Sequence, residues 1–136
     1  ATDDLPRGTP SWLFPMLDRL PCDITFVDES DTVRYFNDCD DRIFPRTPAV
    51  IGRRVQNCHP PESLDMVNRL LDDFRYGRKD RERFWINLGG QFVLIRYFAV
   101  RDRNGSYMGC LEVTEDVTDI RMLKGEKRLL SEDSGP

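Results

Sequence analysis

The chain holds one histidine, His59, placed directly after Cys58 and before Pro60. Imidazole can act as a general base, a proton carrier or an axial metal ligand, but each role needs partners at fitting spacing. A Ser-His-acid arrangement has this single histidine to draw on. No glycine-rich phosphate loop accompanies it, and Gly89-Gly90 reads as a turn. Structural zinc calls for closely spaced ligand pairs. The four cysteines, Cys22, Cys39, Cys58 and Cys110, are scattered without a CxxC pair, so Cys58-His59 is the only close pair. These features argue against an enzyme and against a structural metal site.

The other residue able to carry chemistry is Glu112, and its meaning depends on where it points. Gln91 to Thr118 reads as a long β-hairpin. Phe92 to Arg101 is rich in β-branched and aromatic residues, Asp102-Arg103-Asn104-Gly105 is turn chemistry, and Tyr107 to Thr114 is a second strand. If residues 102 to 105 form an even-length loop, Val93, Ile95, Tyr97 and Ala99 share a face with Met108, Cys110, Glu112 and Thr114. The other face carries Phe92, Leu94, Arg96 and Phe98 with Tyr107, Leu111 and Val113. Both faces are largely apolar, so each must be covered. An inward carboxylate is costly unless paired, hydrogen-bonded or protonated. Glu112 is therefore either a ligand-binding acid or the partner of a buried arginine or backbone amides. Tyr97 and Thr114 can each supply a hydroxyl to the same ligand, although Tyr97 reads first as core.

At 136 residues the chain is one domain by length, able to bury roughly two thirds of its unfolded surface. A net charge of -4 argues against a nucleic-acid binder, which presents a basic stripe to phosphates. The basic run RYGRKDRER over 75–83 is interrupted by Asp80 and Glu82 and reads as a solvated turn. No signal peptide or membrane-length apolar run is present, and the cysteines are unpaired in pattern, so a soluble cytoplasmic setting is expected. Buried, inert thiols are the default for Cys58 and Cys110, with a redox switch as the alternative.

The elements that must position these residues follow in order. Ala1 to Thr9 reads as a flexible lead-in. Ser11 can cap a helix from Trp12 to about Leu20, with Trp12, Leu13, Met16, Leu17 and Leu20 at helical spacing, suited to cover the outer sheet face. Ile24–Asp28 and Thr32–Phe36 are short strands about a turn at 28–31. Asn37 to Phe44 reads as one or two helical turns, and Pro45 and Pro48 force an extended or irregular segment. Pro60-Pro61 open a helix that runs through Tyr76 and stops at Gly77, burying Leu64, Val67, Leu71 and Phe74. Arg83 to Leu88 is a strand joined to Phe92 through Gly89-Gly90. A two-residue turn there puts Phe84, Ile86 and Leu88 with Ile95 and Tyr97, and Trp85 with Leu94 and Phe98. Thr118 can cap a helix over Asp119–Leu130, weakened by Gly125, and Ser131–Pro136 read as a disordered tail.

This order resembles a PAS domain over about residues 20–120. Val27-Asp28-Glu29 through Tyr35-Phe36-Asn37 is similar to the opening hairpin, and Ile51-Gly52-Arg53 with His59-Pro60 to the approach to the long helix. Val100-Arg101-Asp102 to Gly105, then Gly109 and Asp116-Val117-Thr118, resembles the DIT ending of the last strand. VIGRRVQNCHPPES, FWINLGGQFVLIRYFAVRD and LKGEKRLL further resemble the PAS-type region of an uncharacterised prokaryotic family often joined to a hemerythrin-like domain. That di-iron domain would lie outside this chain, which has a single histidine.

The resemblance implies an α+β fold: about five antiparallel strands, short helices and one longer helix on one face, an N-terminal covering helix and a C-terminal exit helix. Three regions are expected: a lead-in and covering helix over 1–20, a PAS-like domain over 21–118, and a signalling helix and tail over 119–136. It also implies a regulatory sensor whose core pocket binds a small molecule or cofactor and reports to a linked output domain. The pocket face would be Val93, Ile95, Tyr97, Cys110, Glu112 and Thr114, opposed by Val67, Leu71 and Phe74. His59 is the one candidate for a haem ligand, although a histidine before proline at this helix start commonly serves structure in PAS domains. Light-sensing flavin chemistry needs a cysteine in an Asn-Cys-Arg setting, which neither Cys39 nor Cys58 has. The alternative is a ligand-free module for homodimerisation or protein interaction through Trp12, Leu13, Trp85, Leu94, Phe98 and Leu111.

Overall fold

The computed structural model describes residues 8–39 and 42–130. The expected tail lies wholly outside these residues, and the lead-in mostly so. Strand β1 (Asp23–Asp28) and β2 (Val33–Phe36) form the opening hairpin. After helix α2 (Pro61–Arg75) come β3 (Arg81–Leu88), β4 (Gln91–Arg101) and β5 (Tyr107–Asp116). The five strands make one antiparallel sheet in the order β2-β1-β5-β4-β3. Leu88 pairs with Gln91 across Gly89 and Gly90, both at positive φ, the two-residue turn that matches strand twist.

Helix α2 buries Val67, Leu70, Leu71 and Phe74, which form the core with Cys110. Leu70 replaces Leu64 in the expected stripe, and Leu64 is only half-buried. Ahead of α2, the chain from Gly52 to Val55 runs beside the opening hairpin: Val33 donates to the Arg53 carbonyl, Gly52 to that of Val33, and Val55 to that of Asp31. Short 3-10 turns lie over Pro48–Val50 and Val55–Cys58. The irregular segment expected after Pro48 is thus partly helical.

The face assignment holds, but for a reason the sequence does not display. The β4–β5 connection is one residue longer than expected, and β5 carries a compensating bulge. Val100 pairs with Gly109 while Arg101 pairs with Tyr107, so Met108 is the extra residue. Beyond it the parity is as expected: Ala99 opposes Cys110, Tyr97 opposes Glu112, and Ile95 opposes Thr114. Before it the parity inverts. Tyr107, expected outside, packs on the core, and Met108, expected inside, is exposed. Gly109 sits where β1 crosses closest. A Cβ there would lie 2.1 Å from the Val27 carbonyl oxygen and 2.7 Å from the Phe26 ring.

Three expected helical features are corrected. Asn37–Phe44 forms no helix among its described residues, because Asp23 captures backbone donors that a helix would use: its carboxylate accepts from Ile43 N–H (2.6 Å) and Phe44 N–H (3.2 Å). Helix α1 is only Leu13–Asp18, with Trp12 rather than Ser11 as its N-cap and no side-chain cap. It covers part of the outer face through Phe14, 5.3 Å from Tyr35, whereas Trp12 and Met16 are exposed. The exit helix is reduced to a 3-10 turn over Ile120–Met122, with Asp119 rather than Thr118 at its start. Ile120, Leu123, Leu129 and Leu130 are exposed, so no packing offsets the cost of ordering a helix.

Gly109→Ala forces backbone apart at the β1–β5 crossing and is expected to cost about 3 kcal/mol. Chemical denaturation with an unchanged midpoint would refute this strand contact.

Candidate functional site

The inner sheet face is built from alternate residues of the central strands. Val27 of β1 opposes Cys110, Thr25 opposes Glu112, and Glu112 opposes Tyr97 of β4. Helix α2 lies over this face and leaves a small, partly open cavity of about 20 Å³, the scale of a single water. Tyr97, Cys110, Glu112, His59, Val67 and Leu71 line it, all of them expected from the sequence, together with Val27, Val55 and Leu70.

Four other expected pocket residues are placed differently. Phe74 and Val93 are fully buried in the core rather than at the cavity wall, and Ile95 shares the face without reaching it. Thr114 is buried with its hydroxyl donating to Glu112 Oε1 at 3.3 Å, but it borders a second, wider cleft of about 820 Å³. Cys22, Asp23, Cys39, Arg42 and Ile43 form much of that cleft. The expected single pocket is therefore two spaces divided near Thr114.

Glu112 has the arginine partner that one reading anticipated. Arg46 Nη2 lies 3.8 Å from Glu112 Oε1, and both side chains are largely withdrawn from solvent. No pattern in the sequence marks Arg46, which lies between two prolines. His59 occupies the extended residue between the second 3-10 turn and α2. Burial lowers its pKa, the Arg46 charge lowers it further, and Glu112 opposes the shift. Burial raises the Tyr97 hydroxyl well above the usual phenol range, with Glu112 adding to the effect. It also pushes the Cys110 thiol up to about 12, so this sulfur is an inert core group. The volume does not fit a haem, which needs a pocket of several hundred Å³. The His59 haem assignment is not supported.

Strand β5 connects the cavity to the end of the sheet. Past Glu112 and Thr114 it reaches Asp116, which accepts from Thr118 N–H at 3.0 Å and from the Thr118 hydroxyl. Thr118 Oγ1 accepts from Phe92 N–H (2.8 Å), Val117 N–H donates to the Phe92 carbonyl (2.9 Å), and Arg121 stacks 3.7 Å above the Phe92 ring. The chain thus leaves the sheet clamped to the start of β4.

On the outer face, Phe26, Leu111 and Phe98 form one row ending at Arg81, and Trp85 opposes Leu94. Trp85 is 57% exposed, while Leu94, Phe98 and Leu111 are half-buried. Leu13 is half-buried in α1.

A five-stranded antiparallel sheet in this order, with one longer helix across its inner face, defines a PAS-like fold. The chain belongs to the PAS domain family: the family model described as PAS domain matches residues 13–118. It is similar to the C-terminal domain of a Streptococcus mutans protein, at 35% identity and a TM-score of 0.79, covering 89% of this chain and 96% of that one. A sensory box sensor histidine kinase structure from Vibrio cholerae (16% identity, TM-score 0.57, 78% and 89% covered) shares the fold. So does a PAS domain from Colwellia psychrerythraea (14%, 0.57, 76% and 92%). No curated protein matches the chain.

Tyr97 both walls the cavity and packs edge-on against Phe84 at 6.0 Å. Tyr97→Ala is expected to cost about 3 kcal/mol in thermal or chemical denaturation; a change near zero would show a ring that bears no packing load. His59 gives a pH signature. Its unfolded pKa is near 6.5 and its folded value lower, so the unfolded chain binds the proton first. Stability should be full above about pH 6.5 and fall as pH drops below it toward the folded value. His59→Gln should flatten that slope; an unchanged slope would exclude His59 as its source.

Proposed function

We propose that this domain is a regulatory sensor that binds a small molecule in the space under α2 and passes its state to a linked output domain. The observation that carries the reading is the set of Glu112, Tyr97 and His59 around one small cavity, with Glu112 on the strand that continues into the exit clamp. A largely buried carboxylate held by one arginine at 3.8 Å and one hydroxyl at 3.3 Å, both on Oε1, retains capacity for a better hydrogen-bonding partner. Arg46 reaches Glu112 from the proline-punctuated segment, so a ligand larger than water competes with Arg46 for this carboxylate. Any resulting shift of β5 acts directly on Asp116 and Thr118. In this reading the domain is a regulatory module rather than an enzyme, it works in the cytoplasm, and its output domain is hemerythrin-like by the resemblance above.

The second reading is a homodimerisation module. Its support is the exposed Trp85 beside Leu94, the half-buried Leu94, Phe98 and Leu111 of the same face, and the exposed Trp12 at the start of α1. The two readings are compatible but place the binding energy on opposite faces of the sheet.

Native mass spectrometry of freshly purified protein, paired with an absorbance scan, tests the first. A bound mass that Glu112→Gln abolishes while the variant stays folded is the expected result. A clean apo protein, with ligand libraries producing no thermal shift, would overturn it. Leu94→Glu tests the second, since a charge on the outer face should dissociate a dimer or release α1. A monomer of unchanged stability removes that reading.

A further inference from the structure

Strand β3 is an edge: it pairs with β4 and with no other described strand. Proteins guard such edges with charge, because unpaired backbone groups invite another strand. The charges on β3 are of an unusual kind. Glu82 faces inward, opposite Tyr97, and is paired to Lys79 at 2.8 Å. Arg81 and Arg83 stand two residues apart on the outer face, and neither has an acidic partner among the described residues. Arg83 directly opposes Arg96 of β4, a like-charge cross-strand pair that disfavours the sheet unless something compensates it. Compensation is incomplete. Glu115 meets Arg96 only at Nη2 (3.1 Å), and Arg96 Nε is buried without a partner. These three arginines and Phe98 border an outer-face groove of about 530 Å³.

We propose that this edge docks an extended acidic segment of a partner protein, added alongside β3 as a further strand with carboxylates at alternate positions. Alternation follows from strand geometry, since residues two apart share a face and so meet Arg81 and Arg83 in turn. Guanidinium groups suit carboxylates through bidentate bonding. The other half of the edge, Trp85, Ile86 and Leu88, is exposed and apolar, and takes the uncharged part of the segment. A nucleic-acid backbone has no amide N–H and C=O groups to pair with the open edge of β3, so it would meet the arginines without using that edge. The site is separate from the cavity under α2 and independent of what that cavity binds.

The test is fluorescence anisotropy with three labelled peptides of valine and threonine. One carries Glu at alternate positions, one has the same composition with its Glu residues adjacent, and one has Gln for Glu. The alternating peptide should bind, and the Arg81→Glu/Arg83→Glu double variant, shown folded by circular dichroism, should weaken it at least about tenfold. Arg103→Glu, a charge reversal in the exposed β4–β5 connection, should leave binding unchanged. Inorganic phosphate should not displace the peptide, beyond the loss that chloride of equal ionic strength causes. The proposal is overturned if the alternating peptide fails to bind, if the double variant binds as well as the parent, or if the Gln peptide matches it. It is equally overturned if the adjacent-Glu isomer matches it or phosphate displaces it, since both would show charge attraction without strand addition.

Discussion

The single extra residue at Met108 governs which side chains meet α2. Strand side chains alternate with period two, so an uncompensated insertion would turn Cys110, Glu112 and Thr114 away from the helix and bring Leu111 and Val113 under it. The bulge absorbs the insertion locally. It turns Tyr107 inward, where Arg75 and Arg101 each lie 5.8 Å from its ring and burial raises its hydroxyl pKa to about 12. It also places a glycine where β1 comes too close for any side chain. Arg101, at the same irregularity, donates to the Phe74 carbonyl (2.7 Å) and so fixes the end of α2 over the sheet.

A second set of constraints is polar and buried. Asn37 is fully enclosed and uses its whole amide: Oδ1 accepts from Ile24 N–H (2.9 Å) and Arg42 (3.0 Å), and Nδ2 donates to the carbonyls of Leu17 (3.1 Å) and Cys22 (3.0 Å). Asp23 likewise holds the chain near Ile43, and the Cys39 thiol donates to it at 3.1 Å; burial and this bond push that thiol pKa up to about 11. Asp31, in the β1–β2 turn, takes Arg75 from the last turn of α2 and Gln56 from the segment before it. Groups left unpaired at these depths would be costly. The three residues therefore decide where the irregular segments over the site can lie.

The strands and their faces were legible in the sequence because period two leaves a direct record in apolar residues such as Val93, Ile95 and Tyr97. The glycine pair at 89–90 and the prolines at 60–61 likewise mark a turn and a helix start through local sterics. What was hidden depends on partners distant in sequence. The Asp23 carboxylate consumes the donors that a helix over 37–44 would need, and nothing near Asp23 announces this. Helical spacing at Ile120 and Leu123 suggested a helix, but spacing records only which residues could be buried, and no surface here receives them. Arg46 reaches Glu112 across 66 positions of chain. The division of the expected pocket follows from the loop held by Asp23, so it was equally invisible.

Helix α1 illustrates how unevenly the fold is held. It has six residues, none buried, and no side-chain cap. Its ties to the sheet are the Phe14–Tyr35 contact, the Leu17 carbonyl taken by Asn37, and the Asp18 carboxylate, which accepts from Asp38 N–H at 2.8 Å. Such an element opens at a small fraction of the global unfolding free energy. Its amides exchange with solvent through local release, whereas those of β4 and β5 wait for the sheet to come apart. The molecule therefore exists as a durable five-stranded body and a short attached latch, and thermal motion visits the unlatched form long before it visits the unfolded one.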